Sequence, residues 1–228
     1  MTATDVDERP PPAKRRPTVL VVLAHPDPES LNEAIAEAAV AAAREAGGEP
    51  VVHHLYRDGF DPRLPASELP APRPPEARRP DGGGVRRRVY FADPVAARYA
   101  TDLQAADVIV VVHPVWFFHL PAVLKGWVDR IVREDVAFEM GATGEVTALL
   151  QARSALIVTT ANSSPATEAA LLGAPLDTYW RTIVFGPAGV RTVERLTLSH
   201  VRTSEAGTRA TWLAEVAVAV ARHVLDVG

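Results

Sequence analysis

Two hydrophobic rhythms alternate along this chain. Short, continuous runs of β-branched residues such as Asp107-Val-Ile-Val-Val-Val112 fit strands buried on both faces, and longer stretches with apolar residues every three or four positions fit amphipathic helices. The pattern predicts strands over Thr18–Ala24, Glu49–Leu55, Asp107–Val112, Arg153–Thr160 and Val193–Ser199. It predicts helices over Ser30–Ala46, Pro94–Ala106, the segment after Pro121, Thr167–Val184 with a break near Gly173–Pro175, and Ser204–Val227. Ser30 suits an N-cap, with Glu33 completing a capping box and Gly47-Gly48 ending the helix. Such alternation implies an α/β domain with a doubly wound parallel five-stranded sheet, for which 2-1-3-4-5 is the usual strand order at this length. The expected division is a Pro-rich, charged, disordered tail at 1–17 and one domain at 18–227. The domain carries an irregular Pro/Arg-rich insert at 61–92, where Asp61–Gly84 sustains neither helix nor strand.

Composition narrows the chemistry. A formal net charge of -4 leaves no basic footprint for nucleic acid. With no cysteine there is no disulfide, thiolate nucleophile or soft metal site. No apolar run approaches the ~20 residues of a membrane helix, so no membrane insertion and a cytoplasmic location are expected.

In open sheets of this kind, ligands bind beyond the carboxyl ends of the strands. There, after the third strand, stand Trp116, Phe117 and Phe118. Successive side chains alternate faces, so the three cannot all point into the core; flat rings at a strand mouth suit a flat cofactor. After the first strand, the start of the first helix offers free N–H groups to an anion. Ser30, Leu31 and Asn32 stand at that start, and His25 at the strand tip. Ser30 has an N-cap role regardless of ligand and His25 is equally a polar strand cap, whereas Asn32 has no strong local reason to sit in a helical turn.

These segments carry a resemblance. His113-Pro-Val-Trp-Phe-Phe-His-Leu-Pro-Ala-Val-Leu-Lys-Gly-Trp-Val-Asp-Arg130 resembles the motif P-x-W-W/F-x-x-P-A-x-L-K-G-W/Y-x-D/E-R-V of the flavodoxin-like NAD(P)H:quinone oxidoreductases. Val19 to Asn32 is similar to their first strand and flavin-phosphate loop, and Ala155–Thr160 to the strand leading into their "TTGG" loop. The likeness runs over roughly residues 18 to 225. It implies a flavodoxin-like fold, FAD (or FMN) as cofactor, NAD(P)H as co-substrate, ping-pong transfer to a quinone or other flat aromatic acceptor, and a homodimer with exposed aromatics at His119 and Trp127. The implied cofactor-binding residues are His25, Ser30, Leu31, Asn32, Pro114, Val115, Trp116, Phe117, Phe118, Thr159, Thr160, Ala161, Asn162 and Arg209. Among them the Phe117 N–H meets the reactive ring edge, and Arg209 either approaches an adenine or is a solvated helix residue.

The chain also departs from that family. Ala161-Asn-Ser-Ser-Pro165 replaces the two glycines, Tyr and His that assist hydride transfer, so no catalytic side chain carries over. That loss keeps a non-catalytic, flavodoxin-like regulatory subunit as the alternative. Ala24-His-Pro-Asp-Pro-Glu29 resembles the "AHPDDE" signature of zinc-dependent deacetylases, but Pro28 replaces one metal ligand.

Overall fold

The computed structural model describes residues 15–69, 89–141 and 144–228. Most of the expected tail (1–14) and the central part of the insert (70–88), including its three glycines, lie outside them. The elements in chain order are β1 (Thr18–Leu23), α1 (Leu31–Glu45), β2 (Glu49–His54), α2 (Pro94–Ala105), β3 (Val108–Pro114) and α3 (Ala122–Ile131). There follow β4 (Phe138–Met140), β5 (Val146–Ala148), β6 (Ser154–Thr160), α4 (Pro165–Leu172), α5 (Pro175–Thr178), β7 (Thr192–Leu198) and α6 (Ala206–Leu225). A π-helical turn, Tyr179–Val184, continues α5.

The main sheet has the order β2-β1-β3-β6-β7, all parallel, which is the expected 2-1-3-4-5 once β4 and β5 are set aside. Those two form a separate antiparallel hairpin too short for a periodicity of 2 to announce it. β3 and β6 are buried at every position, as strands covered on both faces must be. Alternation along them divides the core. Val19, Val21, Val110 and Val158 pack with α1 and α6, whereas Leu20, Val22, Ile109 and Ile157 pack on the opposite face with α2 and α3. Each such side chain contributes about 1.5–3 kcal/mol of burial free energy.

Several local expectations change. Ser30 caps α1 by accepting the Glu33 N–H at 3.2 Å, but the Glu33 carboxylate does not return to Ser30; it pairs with His54 and Arg57 at 2.8 and 2.6 Å. Trp127, expected at the surface, is fully buried, and its indole N–H donates to His53 Nδ1 at 3.4 Å; His119 is exposed. The insert is not wholly irregular. A 3-10 turn, Ala66–Glu68, carries the buried Glu68 into an ion pair with Arg130 of α3. A Cβ on Gly126 would lie 2.3 Å from Pro62, so glycine in α3 is required by close backbone approach. Gly126 and Arg130 thus hold the polypeptide after β2 against α3, and Trp127 reaches β2 itself. No helix among the described residues is long and apolar enough to cross a membrane.

Candidate functional site

Four loops converge at the carboxyl edge of the sheet because the strands that feed them are in register. Ala24 N–H donates to Val112 O at 3.0 Å, Val115 N–H to Thr160 O at 2.8 Å, Ala161 N–H to Leu198 O at 2.9 Å and Val201 N–H to Ala161 O at 3.1 Å. Between them lies a crevice of ≈ 340 Å³ lined by His25, Ser30, Leu31, Asn32, Pro114, Val115, Trp116, Thr160, Ala161, Asn162, Val201 and Arg202. A larger groove, ≈ 420 Å³, runs between β7 and α6, but Leu196, Ala214, Val218 and Ala219 make it mostly apolar and no helix begins there. The crevice has the convergent polar groups that a ligand site needs.

Its anion-facing end is the start of α1. Leu31 and Asn32 are the first two helical residues, so their N–H groups have no carbonyl within the helix to donate to. The side chain of Asn32 is buried and reaches the end of β6: its Nδ2–H donates to Thr160 Oγ1 at 3.0 Å. This bond is the reason for an asparagine in that turn. His25 Nδ1 lies 3.1 Å from the Asp27 N–H and 3.3 Å from the Asp27 carbonyl; in the tautomer that accepts the shorter bond, Nε2 carries the proton of the neutral ring. Asp27 Oδ1 in turn accepts the Glu29 N–H at 2.9 Å, so the stretch resembling a zinc motif is a locally closed turn.

The aromatic segment forms a tight hairpin. Trp116 and His119 exchange both backbone hydrogen bonds at 3.0 Å, and the two residues between them have positive φ, 51° at Phe117 and 61° at Phe118. This is the geometry of a type I′ turn, which favours Asn-Gly. With phenylalanine at both positions it holds about 1–3 kcal/mol of strain per residue. The Phe117 side chain is fully exposed, and the backbone bonds of the turn leave the Phe117 and Phe118 amides unused. The ring of Trp116 faces that of His25 at 6.1 Å.

Phe117, Phe118, Thr159 and Arg209, named from the sequence, do not line the crevice. Both phenylalanines stand at its rim. Thr159 is buried, and its hydroxyl donates to Thr197 Oγ1 at 3.1 Å, tying β6 to β7. Arg209 turns back to Ser204 Oγ at 2.9 Å and the Val201 carbonyl at 3.4 Å. It braces the 3-10 turn Val201–Thr203, which brings Val201 and Arg202 into the crevice. Sequence reasoning missed both; their one signal was a place just beyond the end of β7. The Arg202 N–H donates to Asn162 Oδ1 at 3.0 Å, so Asn162 is already committed to the loop beside it.

A doubly wound parallel sheet with a crevice between its first, third and fourth core strands defines the flavodoxin class of α/β proteins. The chain belongs to the family described as having a flavodoxin-like fold, whose model matches residues 17–221. It is 31% identical over 147 residues to the ribosyldihydronicotinamide dehydrogenase [quinone] of Pongo abelii, covering 62% of each chain. It is 34% identical over 122 residues to an FMN-dependent NADH:quinone oxidoreductase of Cereibacter sphaeroides, covering 53% of this chain and 55% of the relative. The chain thus spans little more than half the length of these relatives. The solved structure of an NAD(P)H:quinone oxidoreductase from Methanothermobacter marburgensis superposes with a TM-score of 0.69 at 20% identity, covering 91% of this chain and 98% of that one.

Proposed function

We propose that the protein is a flavin-dependent NAD(P)H oxidoreductase acting on quinones or similar flat aromatic acceptors. The observation that carries this reading is the meeting, in one crevice, of the α1 N-terminus, the Pro114–Trp116 segment and the Thr160–Asn162 loop. The donor set fits a flavin. Its phosphate would lie against the Leu31 and Asn32 amides and the helix dipole, with His25 Nε2–H and the Arg202 guanidinium as further donors. The tricyclic ring would rest beside Trp116, and the unused Phe117 amide supports the role of donor to its edge. Thr160, Ala161 and Asn162 would border the opposite edge.

When bound, the flavin supplies the redox chemistry, taking a hydride from NAD(P)H and delivering it to the acceptor. The chain's own part is to hold and orient. The aromatic rim at Trp116, Phe117 and Phe118 is exposed and offers a flat apolar wall to a stacking partner that enters and leaves, which suits alternate binding of nicotinamide and acceptor. Two observations bear on the choice of flavin. One named relative is FMN-dependent, and the exposed Arg209 is engaged with Ser204 and Val201. Both favour FMN over the FAD expected from sequence. The exposed aromatic side chains Trp116, Phe117 and Phe118 at the rim support a homodimer.

The test is direct. Protein reconstituted with FMN or FAD in separate titrations should retain one of them through gel filtration, show flavin absorbance, and bleach under anaerobic NADH or NADPH. Bleaching followed by recovery with a quinone supports the enzyme. A tightly held flavin that neither nicotinamide reduces supports the regulatory alternative instead.

A further inference from the structure

Behind the Trp116–His119 turn lies a buried polar group that the proposed chemistry does not use. His113, next to last in β3, is fully buried. Its Nδ1–H donates to the Pro114 carbonyl at 2.9 Å. The neutral ring then presents a lone pair at Nε2, and no partner meets it among the described residues. An apolar ring would fill the same space without an unsatisfied nitrogen, which costs about 1–3 kcal/mol. What distinguishes imidazole here is the Nδ1–H bond.

That bond completes a clamp. The peptide between Pro114 and Val115 is held on both sides, its carbonyl by His113 and its N–H by the Thr160 carbonyl at 2.8 Å. The strained turn begins at the next residue. Its far end is held as well. Tyr179 packs edge-on against His119 at 5.2 Å, Trp180 lies 5.5 Å from Tyr179, and the His113 ring lies 5.8 Å from Trp180. Four rings thus run from the end of β3 to the last residue of the turn. The two central ones belong to the π-helical turn Tyr179–Val184, an irregularity that recurs at functional sites. Two consecutive left-handed phenylalanines persist only where the surroundings over-determine them.

We infer that His113 is a positioning residue: through the Pro114 carbonyl, and through Trp180 and Tyr179, it holds the Phe117–Phe118 turn and so fixes the backbone edge that the flavin would meet. The inference rests on the flavin reading of the crevice. Burial lowers the His113 pKa to about 4, chiefly by desolvation and against the pull of its bond to Pro114, with Arg195 and His119 adding to the lowering. The ring is therefore neutral at pH 7 and keeps the single proton that the clamp uses.

Three substitutions separate the bond from the packing. His113→Phe keeps a ring without a donor, His113→Asn puts an amide N–H near the Nδ1 position, and His113→Gln carries its amide to the Nε2 position. In flavin-free protein, His113→Phe should speed hydrogen exchange at the Val115, Trp116 and His119 amides about tenfold, while His113→Asn stays near wild type. With flavin, His113→Phe should weaken FMN binding by a similar factor and shift the flavin midpoint potential, and His113→Asn should restore both. If the Phe variant does not fold, His113→Gln replaces it in the same comparison. Wild-type exchange and FMN affinity in His113→Phe, or equal impairment in folded Asn and Phe or Gln variants, overturns the inference. Failure of the wild type to take up flavin sinks the crevice reading alone, since the exchange measurement still judges the clamp.

Discussion

Glu68 and Arg130 meet 2.7 Å apart with both side chains buried, joining the polypeptide after β2 to the helix that follows the aromatic turn. Around them the Arg133 guanidinium donates to the Glu68 carbonyl at 2.7 Å, and the Ala92 N–H to Glu68 Oε1 at 3.2 Å. Both described flanks of the insert therefore converge on one carboxylate. Removing one partner strands the other charge in the interior. Arg130→Met is expected to destabilise the protein by about 3–5 kcal/mol, and a double variant with Glu68→Leu to regain much of the loss. Urea denaturation of the three variants checks this; a double variant no more stable than Arg130→Met would show that the pair is held for some other reason.

Gly126 faces Pro62 too closely for a side chain, since a Cβ there meets both backbone and ring atoms of Pro62 within 2.5 Å. Gly126→Ala should cost about 1–3 kcal/mol by overpacking, despite alanine's better helix propensity. A rise in melting temperature would contradict the contact.

Phe117 combines a left-handed backbone with a fully exposed side chain, so substitution loses little burial. Phe117→Gly should relieve strain and leave stability unchanged or up to about 1 kcal/mol higher. Under the proposed function it should also raise the KM for an aromatic acceptor. Thermal melts paired with steady-state quinone reduction test the two halves separately.

Asn32 sits where the proposed phosphate would bind, and its side chain is committed to Thr160. Asn32→Asp places a negative charge beside an anion and should weaken flavin binding by about tenfold or more. Fluorescence titration measures it, with Thr160→Val as the control that breaks the Asn32–Thr160 bond without adding charge. Equal affinity in Asn32→Asp and wild type argues against a phosphate at this helix end.

Two buried histidines tie stability to pH. Desolvation lowers His113 to about 4 and, with Arg98 assisting against Asp58, His53 to about 3, both from 6.5. Between those values the unfolded chain binds protons that the native state refuses, so native stability is fullest above pH 6.5 and falls as pH drops toward 4. Below about 3 these two groups cause no further loss. Melting temperatures across that range should decline, and His53→Phe should flatten the slope; an unchanged slope in that folded variant would remove His53 from the account.

The chain's own periodicities determined the architecture. Continuous β-branched runs are satisfied only between two layers of helices, so β1, β3 and β6 could be read from Val, Ile and Leu positions alone, while the sheet order came from the order usual for a doubly wound sheet of this length. The same holds for many residues that line the crevice, because residues just past strand ends must meet at one edge of a parallel sheet. Tertiary structure decided what depends on contacts distant in sequence. Trp127 is core because His53 and the polypeptide after β2 cover α3. Glu68 is buried because Arg130 awaits it 62 residues later. Asn32 is explained by Thr160, 128 residues later at the end of β6, and Arg202 joins the crevice because the end of β7 is registered against β6. A sequence states each residue's preferences one neighbourhood at a time; which partner satisfies a buried charge or amide is settled only when the layers close.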